Sequence, residues 1–117
     1  METLEEASVL RIYISNTDKF RHTPLYEMVV FAARRYGLAG ATVIKGEMGF
    51  GSSSTIHSHK FWEITEKLPV VVEIIDSKEK IDAFTAKILP WFQNLRYGCL
   101  ITTHETHIKL FKKGTKT

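Results

Sequence analysis

The chain has 117 residues, a net charge of +3 at pH 7, 44% hydrophobic residues and a single cysteine. That length suits one domain able to bury about 65% of the surface it exposes when unfolded, and a lone Cys99 excludes an internal disulfide or a thiolate metal cluster. No apolar run approaches the roughly 20 residues of a membrane helix, and Met1–Ser8 is acidic where a signal peptide would be basic and then apolar. The expectation is a cytoplasmic protein, not itself embedded in a membrane, with charge too mild and scattered to point to nucleic acid.

Residues 1–8 read as a flexible N-terminus, 9–111 as a single domain and 112–117 as a flexible basic tail. Val9–Ser15 alternates, with Leu10, Ile12 and Ile14 on one face and Val9, Arg11 and Tyr13 on the other, which is the period of a strand. Asn16–Arg21 is a polar connection. Thr23-Pro24 then starts a helix over Pro24–Tyr36, with threonine as the cap, proline at the first helical position and Gly37 as the stop. Gly40–Lys45 reads as a second strand and Leu68–Ile75 as a third, whose Val70-Val71-Val72 run implies burial on both faces. Two helices cover only one face of such a sheet, so other subunits are expected to cover the second.

Asp76 with Glu79 three residues later has the form of a capping box. It opens a second helix through Ile81, Phe84, Ile88, Phe92 and Leu95, which Pro90 should kink or split near Leu89 and Gly98 should end. Cys99–Thr103 is a fourth strand and Thr106–Phe111 a short last one. The order is α+β and ferredoxin-like: βαββαβ, an antiparallel sheet with both helices on one face and an extra short C-terminal strand.

Between the second and third strands runs Lys45-Gly46-Glu47-Met48-Gly49-Phe50-Gly51-Ser52-Ser53-Ser54-Thr55, followed by His57-Ser58-His59. Main-chain amides in a glycine-rich turn can converge on an anion, and the serines add hydroxyl donors, so phosphate is the natural guest. Neither the Gly-Lys-Ser/Thr of a P-loop nor the Rossmann spacing is present, and a loop that contacts another protein is the alternative. His57 and His59 share one face of an extended segment and could hold a divalent ion in a CutA-like metal-binding trimer, and His104 and His107 form a second pair. Glu63, Glu66, Glu73 and Asp76 are the acid/base candidates, and Phe61-Trp62 could stack on a ring or pack the loop's exit. No nucleophile stands with a base, so the expectation is not an enzyme.

Leu25-Tyr26-Glu27, Gly37-Leu38-Ala39-Gly40-Ala41-Thr42-Val43, Gly49-Phe50-Gly51 and Leu68-Pro69-Val70-Val71-Val72-Glu73 together resemble, over about Val9–Phe111, the PII-like family called domain of unknown function 190. More distantly the chain is similar to the nitrogen-regulatory PII signalling proteins. The resemblance implies a homotrimer that binds an adenine nucleotide or related anion in clefts between subunits. It also implies a signal through loop 46–60 to a partner protein, such as a membrane transporter or an enzyme. Thr42, Lys45, Gly46, Gly49, Phe50 and Gly51, with Ser52 and Ser53 beyond them, would then sit beside the cleft, and Gly98 and its neighbours would face them from the adjoining subunit. Two departures qualify it. The turn Asn94–Cys99 carries Arg96 as its only formal charge, so ATP should bind more weakly than in a true PII protein and a less charged ligand fits as well. No tyrosine lies between Gly46 and Trp62 to accept a nucleotidyl group.

Overall fold

Alternation in the first strand sets the pattern from which the rest of the sheet follows. The computed structural model describes residues 6–50, 57–58 and 67–115. In chain order its elements are β1 (Glu6–Ser15), β2 (Lys19–Phe20), β3 (Thr23–Pro24), α1 (Leu25–Arg35), β4 (Ala41–Lys45) and β5 (Met48–Gly49). They continue with β6 (His57–Ser58), β7 (Pro69–Asp76), α2 (Lys78–Gln93) and β8 (Leu100–His107). Four strands form one sheet in the order β4-β7-β1-β8, with every neighbour antiparallel. This is the ferredoxin-like arrangement expected from the element order.

Period-two alternation assigns the faces. Leu10, Ile12 and Ile14 of β1 stand opposite Ile74, Val72 and Val70 of β7, and all six are buried in one cluster with Leu25, Val29 and Ala33 of α1 and Ile81, Phe84, Ile88 and Phe92 of α2. The helices therefore cover one side of the sheet. On the other side Ile44, Val71, Tyr13 and Leu100 form one register row across the four strands, and Thr42, Glu73, Arg11 and Thr102 form the next. Arg11 Nε donates to Glu73 Oε2 at 2.9 Å in the middle of that polar row. Within one chain β7 is buried on the helix face alone: on the other, which the sequence assigns to neighbouring subunits, Val71 and Glu73 are half-buried and Ile75 is exposed.

Several boundaries move for physical reasons. β1 starts at Glu6, and Ala7 and Ser8 are already buried. Thr23 does not cap α1: Thr23-Pro24 pairs with Lys19-Phe20 in a small hairpin, and the Leu25 amide donates to the Asp18 carbonyl at 2.8 Å. Asp76 does not cap α2 either. Ser77 is the N-cap, accepting from the Lys80 amide, while the fully buried Asp76 carboxylate accepts from Ala39 N at 2.9 Å and Ser77 N at 2.7 Å. That carboxylate ties the α1–β4 turn to the start of α2. Pro90 does not split α2, which runs on to Gln93, so the helix ends at Asn94 rather than Gly98. The extra strand is absent: β8 is continuous to His107, and no strand follows it among the described residues.

Candidate functional site

Pro69, the first residue of β7, is where the glycine-rich segment meets the sheet. The Gly46 amide donates to the Pro69 carbonyl at 2.8 Å, and a Cβ on Gly46 would lie 2.8 Å from Pro69 Cγ. One on Gly49 would lie 3.2 Å from the same atom. At Gly46 the backbone passes over the proline ring with no room for a side chain, and at Gly49 a side chain would fit only if the ring gave way slightly. Leu68 is held beside them, its amide donating to Asn16 Oδ1 at 2.8 Å and its carbonyl accepting from Asn16 N at 3.0 Å. β5 then pairs with β6, placing Gly49 opposite His57.

At the same end of the sheet, where Tyr13 pairs with Leu100 and Ser15 with Pro69, α2 closes with Asn94 N donating to the Pro90 carbonyl and Leu95 N to that of Phe92. The chain then turns through residues 96–99 into β8. This turn, the end of β1 and the base of the glycine segment enclose a cavity of about 760 Å³, within the range of about 300–1,000 Å³ that suits small-molecule ligands. Met48, Gly49 and Phe50 line one part of it, Arg96 to Leu100 another, and Tyr13 to Ser15 with Asp18, Lys67 and Pro69 the remainder.

Three kinds of chemistry share this space. Phe50, Tyr13 and Tyr97 offer ring surface, and the Arg96 guanidinium lies 5.5 Å from the Tyr97 ring centroid. Lys67 and Arg96 offer positive charge. Asp18 offers a carboxylate that is only 3% exposed: burial pushes its pKa up, while the hydrogen bond from Ser15 N to Oδ2 at 3.0 Å and the charge of Lys67 pull it back. The Cys99 thiol is pushed up by burial and then by the Asp18 charge, which disfavours its thiolate.

Of the residues expected at the site, Gly49, Phe50, Arg96 and Gly98 line the cavity. Within one chain these four residues share the cavity wall, so Gly98 reaches the base of its own chain's glycine segment. Thr42 lies opposite Glu73 on the open face of the sheet, Lys45 ends β4 opposite Val70, and Gly46 packs on Pro69; none of the three lines the cavity. Gly51, Ser52, Ser53 and His59 lie outside the described residues, as does the His57 side chain. Among the described residues no group of three or more His, Cys, Asp or Glu could hold a metal ion. Tyr97 lies in the expected turn beside Gly98, whereas Tyr13, Asp18 and Lys67 were not expected. Each is far in sequence from the glycine segment or outside any motif, and only the fold brings them to it.

Residues 7–108 match the protein family DUF190, described as "Uncharacterized ACR, COG1993". A UPF0166 protein of Aquifex aeolicus is 41% identical over 80 residues, covering 68% of this chain and 76% of that one. A UPF0166 protein of Methanocaldococcus jannaschii is 28% identical over 103 residues, covering 88% and 92%. Among solved structures, CPII, a nitrogen regulatory PII-like protein from Thiomonas intermedia K12 bound to ADP, AMP and bicarbonate, superposes with a TM-score of 0.67 at 16% identity, covering 90% of each chain. The fold is PII-like.

Proposed function

The chain belongs to the DUF190 family, and from that premise we propose that it is a trimeric PII-like regulator whose cavity takes an adenine nucleotide or a related anion and whose loop 46–60 carries the bound state to a partner protein. The observation that carries this reading is the shared wall: Met48, Gly49 and Phe50, at the root of the loop, line the same cavity as Arg96 and Gly98. A molecule seated there touches the loop's root and the turn into β8 at once. The adenine nucleotides in the fold relative CPII support the ligand class. Two cations among the described lining residues, offset by Asp18, suit a ligand with few phosphates.

The protein acts by binding rather than turnover. A ligand moves the loop only so far as it binds one loop state better than another, and the partner, a membrane transporter or an enzyme, reads that difference. The open sheet face, with its row Ile44, Val71, Tyr13 and Leu100, supports assembly of copies. Among the described residues no helix is long and apolar enough to cross a membrane, and the reading includes a cytoplasmic location. Thermal unfolding of the full chain with AMP, ADP and ATP tests it. A nucleotide at about 100 times its dissociation constant stabilises the native state by about 2.7 kcal/mol, and Phe50→Ala and Arg96→Ala should each reduce that shift. Unfolding temperatures unchanged by all three nucleotides would sink the reading.

A further inference from the structure

We propose that Asp18 is the group by which the cavity reads a ribose: its carboxylate accepts the vicinal hydroxyls of a nucleotide's sugar. The inference rests on the nucleotide reading above and names the residue that sets its specificity.

Asp18 has more fixed geometry than its turn requires. Its amide donates to the Ser15 carbonyl at 3.1 Å and its carbonyl accepts from the Leu25 amide at 2.8 Å, so the backbone is pinned on both sides. The Ser15 amide engages one carboxylate oxygen at 3.0 Å, and the other remains an acceptor on a residue that lines the cavity. An asparagine or serine would serve the turn equally well in water. Here a carboxylate sits at 3% exposure on a cavity wall, where a charge without full hydration needs donors. Lys67 acts on it through its charge, and its own charge acts on the Cys99 thiol, so Asp18 is in electrostatic reach of both sides of this wall.

The other lining groups narrow the partner. A carboxylate accepts hydrogen bonds and repels phosphate, so a ligand's anionic end belongs near Arg96, away from the Lys67 charge that already acts on Asp18, and its ring near Phe50 and Tyr13. The part left for Asp18 is neutral and rich in donors. A ribose diol is such a group, able to give two hydrogen bonds to one carboxylate, and acidic side chains read ribose hydroxyls in the same way at dinucleotide sites.

The test compares AMP with 2′,3′-dideoxy-AMP by calorimetric titration of the full chain. Losing the donors of a buried acceptor leaves it unsatisfied, so the wild type should bind AMP at least about 10-fold more tightly than the dideoxy analogue. In Asp18→Asn the Ser15 amide holds the amide oxygen and turns the NH₂ toward the cavity, a donor where an acceptor stood. The preference should then shrink to about 2-fold or less. A wild type that binds both ligands equally overturns the role of Asp18 and leaves the nucleotide reading intact, whereas a wild type that binds neither overturns both. A preference that survives in Asp18→Asn assigns the hydroxyls to another group and also overturns the proposal. Unfolding of the variant without ligand controls for its fold, and if it does not fold, Asp18→Ser, which keeps an acceptor for the turn but is too short to reach the sugar, takes its place.

Discussion

On β7, Val70, Val72 and Ile74 are fully buried beneath the helices, while Val71 between them is half-buried and Ile75 is 37% exposed, although the five side chains are alike in chemistry. The same contrast holds along β1, where Ile12 is at 0% and Tyr13 at 37%. One face is a core completed by α1 and α2. The other is an apolar row beside a polar row, closed only toward Ala7 and Val9, which are buried. A strand whose apolar residues are needed on both sides but covered on one by its own chain carries the requirement for a second layer in its sequence.

The sharpest way to break this comparison is to make the same truncation on both faces. Ile74→Ala should lower stability by about 2–5 kcal/mol, as buried large-to-small changes do, measured by urea unfolding. Asp76→Ala comes next. It leaves the amides of Ala39 and Ser77 without their carboxylate, which should cost about 2–3 kcal/mol by the same measurement. Ile44→Glu, on the open row and 49% exposed in the single chain, should leave the chain folded but reduce its mass in sedimentation from an assembly to a monomer. An unchanged mass would mean that this row is not the contact between copies.

Smaller effects sharpen the picture at the cavity. The pKa of Asp18 is raised by folding from 3.8, so its contribution to stability is full below that value and is lost as pH rises through the raised value. Asp18→Asn should therefore gain stability relative to wild type across that window, read as unfolding temperature against pH. The smallest change should come from Arg11→Ala: the ion pair with Glu73 joins side chains 39% and 25% exposed, and solvent screens such pairs. A large loss in an otherwise monomeric variant would show that the polar row does more than separate two apolar ones.

Period-two runs and helical spacing were enough to read the sheet, both helices and their common face, because burial writes itself into the sequence at fixed intervals. Caps were less legible. Asp76 and Ser77 are adjacent and either could cap α2; the choice was made by Ala39, nearly forty residues away, which claims the Asp76 carboxylate. Pro90 illustrates a different limit, since a helix can run through a proline near its end, where few turns depend on the missing amide. At the site, Gly49, Phe50, Arg96 and Gly98 were legible because they sit in short, unusual strings. Asp18, Lys67 and Tyr13 were not, because nothing local marks a residue whose role depends on a cavity formed by three distant segments.

The contacts at Pro69 reach beyond the site. With the Gly46 amide on the Pro69 carbonyl and Asn16 clasping Leu68 from both its amide and its carbonyl, the two feet of the intervening chain are stapled together by the body of the protein. Closure entropy grows only logarithmically with the length of such an excursion, by about 0.6 kcal/mol for each doubling. Relatives can therefore lengthen, shorten or rewrite the segment beyond Phe50 at little thermodynamic penalty to the sheet, provided the two glycines and the proline beneath them stay. One scaffold of this kind can be refitted to different targets by changing what hangs between two fixed points.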